Sequence, residues 1–342
     1  MRKQFNLYDV VNLVHPKSTP AIHKFMNDEI GAIGTWEAEL SKAGQIATTD
    51  EEKAELKREA WAELIHSRKI GYFALLRNLR NIMEQAPEVL DEALELLVDE
   101  KLIRKSLVLP FRYLTAYDEI GASGLAGKQK VLTALSKAID VSVNNVPEFK
   151  GNTLIALDVS SSMSGGYGHR GSDNKAPARL GAVLMGAMLK KNPDNTDLMV
   201  FEGIAKYLNI DAGDTTLSIV NQIVKHIHGG YTNTPDVFNK ATKKYDRVVI
   251  ISDMQTWVEN NYSHYYGGST SSVPVAKDAY AKKFGVNPHI YTLDMSGYGT
   301  ANFSDNQVYQ LAGFSEKIFD LMSLLEKDRN AMVNEIENSV TF

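Results

Sequence analysis

Two short segments carry carboxylates and hydroxyls at a spacing that suits a hard metal ion. One reads Asp158-Val-Ser160-Ser-Ser162, where alternate residues can project to one side of a turn. It offers one carboxylate and two hydroxyl oxygens. The other is Ser252-Asp253, which places a second carboxylate directly after a run of apolar residues. Together these segments offer oxygen ligands of the kind that Mg²⁺ and Mn²⁺ prefer.

A third segment, GGYTNTP at residues 229–235, lies between the other two in the chain and adds hydroxyls. Its glycines favour a loop, and its proline suits the first turn of a following helix. Thr232 and Thr234 each offer a hydroxyl in this segment. The complete set holds only oxygen donors, which suits zinc or copper poorly because those ions favour nitrogen and sulfur.

Parallel strands must position these segments, because ligands of open α/β sheets bind beyond the carboxyl ends of the strands. The second half of the chain alternates short apolar runs with amphipathic helices, which is typical of βαβ units. Its clearest strands, residues 153–158, 248–252 and 289–293, are apolar throughout, as expected when helices cover both faces of a parallel sheet. A last strand is predicted near residues 308–311, and a closing amphipathic helix at 316–337. The fold class predicted for this half is Rossmann-like α/β.

The first half shows helical periodicity, with proline, glycine and capping residues between the segments. We predict short helices stacked in antiparallel pairs, a HEAT-like repeat arrangement inferred without a visible sequence period. Asp50 is the expected N-cap of one helix. The predicted helices cover about residues 51–67, 69–85, 87 onward, 109–120 and 128–142. The chain is thus expected to be multidomain, α followed by α/β, with domains at 1–147 and 148–342.

Composition and charge limit the classes of protein to consider. The 342 residues are 44% apolar and 23% charged, which is ordinary for a globular chain. The net charge of −5 gives no basic field over the whole molecule, so any nucleic-acid site must be a local patch. Cysteine is absent, the N-terminus has no apolar leader, and no uncharged apolar run reaches about 18 residues. We therefore expect a cytoplasmic protein without a membrane partner.

Sequence motifs of several common enzyme active sites are missing. The chain has no G-x-S-x-G, Walker loop or H-E-x-x-H. His226 and His228 precede the glycine-rich loop without nitrogen or sulfur partners at ligand spacing, so packing or capping is their expected role. Ser160 and Ser162 have no assigned general base. We expect no enzymatic activity.

The three oxygen-rich segments resemble the ligand loops of a von Willebrand factor A (vWA) domain. DVSSSMS, GGYTNT and IISDMQT match, in order, the loops of its metal-ion-dependent adhesion site (MIDAS). By this resemblance the hydroxyls touch the ion directly, and the carboxylates act directly or through water. One coordination position would be left for a carboxylate from a protein partner or another anion, which makes the site a docking point. The implied metal ligands are Asp158, Ser160, Ser162, Thr232 and Asp253.

The helical half resembles the TROVE module, the helical-repeat domain of the Ro ribonucleoprotein family. The matching stretches are LVHPK at 13–17, GYFALLRNLRNI at 71–82 and LPFRYLTAY at 109–117, and ALLRNL is the most specific phrase. The resemblance implies binding of small noncoding RNA, and of misfolded or single-stranded RNA ends, by a helical ring that the vWA domain closes. The module here is shorter than the family's, so we expect several copies to assemble into a homo-oligomer that replaces the missing helices.

Cationic side chains on polar helix faces are the candidates for RNA contact, and arginine suits phosphates and base planes better than lysine does. Lys101, Arg104 and Lys105 form the densest patch. Arg80 stands four residues from Glu84, a spacing typical of a solvated ion pair on one helix. The full candidate set is His15, Lys17, Arg77, Arg80, Lys101, Arg104, Lys105, Arg112, His169 and Arg170.

Two functions follow from these residues. In the first, the chain is an RNA-binding ribonucleoprotein subunit whose vWA domain adds a metal-dependent docking site. In the alternative, the metal captures an acidic residue of a protein partner, and the helical half is the scaffold of an adaptor that does not bind RNA. The loops at 164–177 and 259–272 are rich in Gly, Ser, Tyr and His, and their tyrosines could stack on RNA bases; the alternative is that both are mobile surface loops.

Overall fold

A helical region is followed by an α/β region in the computed structural model. The predicted fold class, α followed by Rossmann-like α/β, is confirmed. Within the part of the chain that the structure describes, no helix combines the length and apolar character needed to cross a membrane. The described residues are 11–12, 14–27, 36–164, 177–254, 272–295, 307–312 and 317–328.

The helices of the first region are short, and most bury one face against their neighbours. The longest buries Trp61, Leu64 and Ile65, and single 3₁₀ turns follow at Pro87–Val89 and Val143–Asn145. The helices are α1 (Pro20–Met26), α2 (Trp36–Ile46), α3 (Asp50–His66), α4 (Tyr72–Arg77), α5 (Leu79–Gln85), α6 (Leu90–Leu97), α7 (Glu100–Ser106), α8 (Pro110–Ala122) and α9 (Lys128–Ser142).

The structure corrects two details of the predicted helices. Residues 69–85 do not form one helix, because the chain breaks at Asn78, where φ is −108° and ψ is 10°. The buried Asn78 side chain donates to the Ala74 carbonyl at 2.9 Å, and the same carbonyl accepts the backbone N–H of Asn78 at 3.1 Å, so a local side-chain hydrogen bond accompanies the break. The N-cap of α3 is Thr49 and not Asp50, since the Thr49 hydroxyl accepts the backbone N–H three residues later at 3.1 Å.

The second region contains one mixed sheet with helices on both faces. Its strands are β1 (Thr153–Asp158), β2 (Thr196–Phe201), β3 (Ala205–Leu208), β4 (Arg247–Ser252), β5 (His289–Asp294) and β6 (Val308–Ala312). Its helices are α10 (Pro177–Lys191), α11 (Thr216–Val224), α12 (Pro235–Lys240), α13 (Val273–Phe284) and α14 (Lys317–Lys327). The strand order is β3-β2-β1-β4-β5-β6, and only β3 runs antiparallel to its neighbour. This short edge strand is absent from the predicted elements.

Alternate residues of the central strand point into two different cores. Ile155 and Leu157 join the cluster that includes residues of α10, α11 and α14. Leu154 and Ala156 join the cluster on the opposite face, under α12 and α13. Every residue of β1 is therefore buried, as predicted for a parallel strand covered on both sides.

Helix α10 approaches the sheet closely at Gly181. A Cβ atom at this position would lie 2.4 Å from Leu157 Cδ1 and 3.0 Å from Ile251 Cγ2. Both neighbours are buried side chains, so any larger residue would force repacking of the core. The absence of a side chain at Gly181 thus lets α10 lie directly on the two strands that carry the predicted metal ligands.

The helical region packs directly on the α/β region, with α8 and α9 against α10 and α11. Arg179 on α10 donates to both carboxylate oxygens of Asp118 on α8, at 2.8 and 2.9 Å. Thr216 at the start of α11 donates its backbone N–H and its hydroxyl to Asp140 on α9, each at 2.7 Å. Apolar residues of both regions belong to one continuous cluster. The two regions therefore share a core across these four helices.

Arg247, at the amino end of β4, anchors the segment between α9 and β1. Its guanidinium lies 4.6 Å from the centre of the Phe149 ring and donates to the carbonyl of Lys150 at 3.3 Å. It also pairs with Glu326 on α14 and is only 3% exposed. This anchor lies at the end of the strands opposite to the predicted metal loops.

Candidate functional site

The carboxyl ends of β1 and β4 lie side by side where the strand order reverses. Strand β1 pairs in parallel with β2 on one side and with β4 on the other. Asp158 is the last residue of β1, and Asp253 directly follows β4. A reversal of strand order opens a crevice at the sheet edge, which is where open α/β sheets bind ligands. The structure brings both predicted carboxylates to this edge.

The Asp158 carboxylate is buried and held from both sides. Its Oδ1 accepts the backbone N–H of Ser160 at 2.9 Å, and its Oδ2 accepts the hydroxyl of Ser252 at 2.7 Å. Burial raises the pKa of Asp158 to about 6, and the neighbouring Asp253 adds to the increase, while both hydrogen bonds oppose it. A buried carboxylate of this kind favours a proton or a cation beside it.

The hydroxyls of the first loop stand at a separation that a metal ion would accept. Ser160 Oγ and Ser162 Oγ are 3.3 Å apart, and the 3₁₀ turn Ser161–Ser164 holds them on one short loop. Neighbouring ligands of an octahedral Mg²⁺, with Mg–O distances of 2.0–2.1 Å, are about 3 Å apart. Ser160 is 2% exposed, so the oxygen is already shielded from bulk water.

The glycine-rich loop contacts the first loop through its backbone. The N–H of Ser161 donates to the carbonyl of Gly230 at 3.2 Å. Gly229 has a φ of +79°, a left-handed conformation that glycine adopts without strain, and an added Cβ would lie 3.2 Å from Ser161 Oγ. Thr232 is buried near this contact, and Thr234 takes the N-cap position of α12. The second predicted hydroxyl thus belongs to a loop packed against the first.

The third loop turns sharply after its carboxylate. Asp253 is 2% exposed, and Met254 after it has a φ of +60°, which is uncommon for a residue with a side chain. The N–H of Met254 donates to Ser252 Oγ at 3.0 Å. The Ser252 hydroxyl therefore links this turn to Asp158 and joins the first and third loops.

Two buried oxygens beside the glycine-rich loop have no hydrogen-bond partner among the described residues, namely Glu202 Oε2 and Asn233 Oδ1. Glu202 follows β2, and its carbonyl accepts the N–H of Asn233 at 2.9 Å. Such atoms are rare in folded proteins and often mark places where water or an ion binds. Glu202, Asn233 and the role of Ser252 were not predicted from the sequence. Asn233 and Ser252 are neighbours of predicted ligands in the chain, whereas Glu202 follows a strand that carries none.

The donor set is rich in hydroxyls and poor in charge. In the described stretches, no three or more His, Asp or Glu side chains gather as a metal site would require. Any cation at this edge would therefore depend on serine and threonine oxygens in addition to the two carboxylates. That composition fits Mg²⁺ or Mn²⁺, which bind oxygen, and not zinc.

On the helical region, the structure brings Arg77 of α4 and Arg112 of α8 together across an exposed phenylalanine. Their guanidinium carbons lie 5.8 and 5.6 Å from the centre of the Phe73 ring. Arg112 also lies 4.9 Å from the centre of the Phe111 ring. Both arginines are among the predicted RNA contacts, but the sequence gives no sign that they share a cleft, because 35 positions separate them in the chain.

Other predicted cations pair within their own helices. Arg80 Nε donates to Glu84 at 2.9 Å, which raises the pKa of Arg80, and Arg104 donates to Glu100 at 2.6 Å. Both pairs are exposed, so each contributes little to stability. Lys101 and Lys105 are exposed on α7 beside Arg104, so the predicted patch is a solvent-facing strip of one short helix.

The predicted cations near the N-terminus are exposed. His15 and Lys17 precede α1, and His15 has a φ of +49°. His169 and Arg170 lie outside the described residues. The same holds for most of the two tyrosine-rich loops and for the part of the predicted closing helix beyond residue 328.

The strand order and the three converging loops define a vWA-type α/β domain, and a module of short helices precedes it. Comparison with protein families agrees for both parts. Residues 29–159 match the TROVE domain and residues 152–325 match the Ro60 vWA domain. The chain belongs to the Ro family.

Two known proteins illustrate this relationship. The crystal structure of the RO (RSR) protein of Deinococcus radiodurans superimposes with a TM-score of 0.61 at 21% identity, covering 94% of this chain and 71% of that one. At this identity the likeness shows the fold alone. Telomerase protein component 1 of Mus musculus is 36% identical over 88 residues, which is 25% of this chain and 3% of the mouse protein. The present chain thus spans only a small fraction of that relative.

Proposed function

We propose that this chain is an RNA-binding subunit of a Ro-type ribonucleoprotein, and that its helical region binds small noncoding or single-stranded RNA. The observation that carries the proposal is the presence of a TROVE domain and a Ro60 vWA domain in one chain. The exposed cations of the helical region, above all Arg77 and Lys101, supply the local positive charge that phosphates require. The lack of cysteine fits a reducing compartment such as the cytoplasm.

The sheet edge is proposed to hold Mg²⁺ or Mn²⁺. Ser160, Ser162 and Thr232 would contribute hydroxyl oxygens, and Asp158 and Asp253 would contribute carboxylates directly or through water. A bound ion would supply positive charge and an open coordination position for an anion. The buried carboxylates, the spacing of the serine hydroxyls and the unpartnered oxygens beside the glycine-rich loop support this proposal.

The first experiment is to purify the protein at low salt and to sequence the nucleic acid that it carries. A variant with Lys101, Arg104 and Lys105 changed to Glu is purified in parallel. We expect a discrete small RNA with the unmodified protein and a strong loss with the variant, because each lost phosphate contact weakens binding and lowers its salt dependence. Protein that carries no RNA, and retains none when structured or single-stranded RNA is added, would contradict the proposal.

A matched control separates local contact from total charge. Changing Lys240, Lys282 and Lys283 to Glu alters the net charge equally, and all three are exposed on the α/β region. RNA binding should survive in this control. Equal loss in both variants would show that long-range charge, and not a patch on α7, controls the binding.

The alternative function is a metal-dependent adaptor without RNA binding. It is favoured by the burial of Asp158 and Asp253, because buried carboxylates would hold a cation, and that cation would bind an acidic residue of a protein partner. In that case partner capture should require Mg²⁺ or Mn²⁺ and should be insensitive to ribonuclease. Assembly into a homo-oligomer is proposed alongside the RNA function, and light scattering with and without RNA would measure it.

A further inference from the structure

A cleft of about 210 Å³ lies between α4 and α8 on the helical region. Its wall contains Phe73, Arg77, Arg112, Thr115 and Glu119. Pockets for drug-sized molecules measure roughly 300–1,000 Å³, so this cleft suits one small planar group and not a larger ligand.

An exposed aromatic ring forms the apolar part of the cleft. Phe73 is 38% exposed, which is unusual for a phenylalanine in a region where most large apolar side chains are buried. The exposed part of the ring offers a surface to a second planar group. Stacking of bases on such rings is a common part of single-stranded RNA recognition and is worth about 1–3 kcal/mol per base.

Two guanidinium groups flank the ring. Arg77 and Arg112 both lie within 6 Å of the Phe73 centre, and Arg112 also packs on Phe111. Contact with the rings restrains each guanidinium, and the planar group carries several N–H donors that suit phosphate oxygens. A nucleotide whose base lies on the ring would thus find donors for its phosphate beside it.

The third element is an acidic side chain. Glu119 is exposed at the rim, one turn of α8 beyond Thr115, whose hydroxyl donates to the Phe111 carbonyl at 3.0 Å. A carboxylate disfavours a ligand that is only an anion, but it accepts hydrogen bonds from an exocyclic amino group. The Thr115 oxygen can accept a further hydrogen bond.

We propose that this cleft binds one amino-bearing base of single-stranded RNA, adenine, cytosine or guanine, and discriminates against uracil. Phe73 provides the stacking surface, and the arginines bind the adjacent phosphate. The Glu119 carboxylate accepts a hydrogen bond from the amino group of the base. Uracil has a carbonyl at the position where cytosine has an amino group. Two hydrogen-bond acceptors, this carbonyl and the Glu119 carboxylate, would then face each other and repel. This inference rests on the proposed RNA-binding function and assigns a base preference to it.

The test measures the affinity of equal-length oligo(A), oligo(C) and oligo(U) for the full chain at one fixed salt concentration. The unmodified protein should prefer oligo(A) and oligo(C) to oligo(U). Phe73→Leu should weaken binding of the preferred oligonucleotides by roughly 5- to 150-fold, the range of a lost base stack. Glu119→Gln should bring oligo(U) to within a few fold of oligo(C), because an amide can both donate and accept.

Val275→Ala is the matched control, since Val275 is an exposed apolar side chain on α13 at 58% exposure. This variant should keep both affinity and base preference, and thermal unfolding should show that all three variants are folded. Failure of the unmodified protein to bind any oligonucleotide or structured RNA would overturn the proposed function together with the cleft. RNA binding that Phe73→Leu and Glu119→Gln leave unchanged would overturn the cleft alone.

Discussion

At the carboxyl edge of the sheet, the carboxylates of Asp158 and Asp253 are 0% and 2% exposed, whereas Arg77, Arg80 and Lys101 face solvent on the helical region. Removing a charge from water is costly, so a proton or a cation bound at the sheet edge would stabilise the buried carboxylate group there. The cations of the helical surface carry no such desolvation cost, because they are exposed and stay hydrated.

The two proposed sites would therefore bind their ligands by different means. The sheet edge is pre-arranged by a network in which Ser252 joins Asp158 to the turn at Met254. Binding at the helical surface would depend on accumulated charge and on the exposed Phe73 ring. We expect the first kind of site to respond strongly to single substitutions, pH and metal, and the second to respond to salt and to combined charge changes.

The largest expected effect concerns the metal. Mg²⁺ at a concentration about 1,000 times its dissociation constant should stabilise the unmodified protein by about 4 kcal/mol, because only the folded state assembles the site. Asp158→Asn should abolish this gain while the fold is kept, since the amide retains the shape of the carboxylate. Thermal unfolding at several Mg²⁺ and Mn²⁺ concentrations measures it. A melting temperature indifferent to both ions in the unmodified protein would refute the metal assignment.

The next effect is a dependence of the free energy of unfolding on pH in the absence of metal. Because burial raises the pKa of Asp158 to about 6 from 3.8, the folded state holds a proton more tightly than the unfolded state does. The free energy of unfolding should then fall as pH rises from about 4 to about 6, by up to about 3 kcal/mol. Urea unfolding in a chelator measures this, and Asp158→Asn is the control that should lack the decline.

A smaller effect is expected where the two regions meet. Asp118→Ala removes the partner of Arg179, and both side chains are about four-fifths buried, so the free energy of unfolding should fall by about 2 kcal/mol. Glu55→Ala breaks the exposed pair with Arg58 and should cost at most about 1 kcal/mol. Urea unfolding measures both. Equal effects of the two variants would show that the shared core, and not the ion pair, holds the regions together.

The smallest effect is expected on the helical surface. Changing Lys101, Arg104 and Lys105 to Glu should lower the free energy of unfolding by about 1 kcal/mol, because all three are exposed but the change breaks the Arg104–Glu100 pair and opposes the dipole of α7. The same variant should lose RNA. A large loss of stability would mean that these residues support α7 itself, where two of them lie in the last turn and interact favourably with the helix dipole.

Much of the fold follows from local patterns along the chain. The helix predicted at residues 128–142 is α9, and the strand predicted at 153–158 is β1, because a period of 3.6 or a continuous apolar run is a local property. Strand β3 was beyond such reasoning, since it has four residues and its pairing with β2 depends on a hairpin contact. The break at Asn78 was missed because the apolar stripe of the predicted helix continues across it, and the side-chain hydrogen bond that accompanies the break is a feature of the folded chain.

The sequence by itself determined the donor types, their order and their places after predicted strands, because side-chain chemistry and chain order are carried by single residues. Only the tertiary structure decided which groups meet. Register and strand order bring Asp158 beside Ser252, which is 94 positions away, and helix packing sets Arg112 across Phe73. Burial is also a tertiary property, and the raised pKa of Asp158 and the exposure of Phe73 arise from neighbours that no short segment contains.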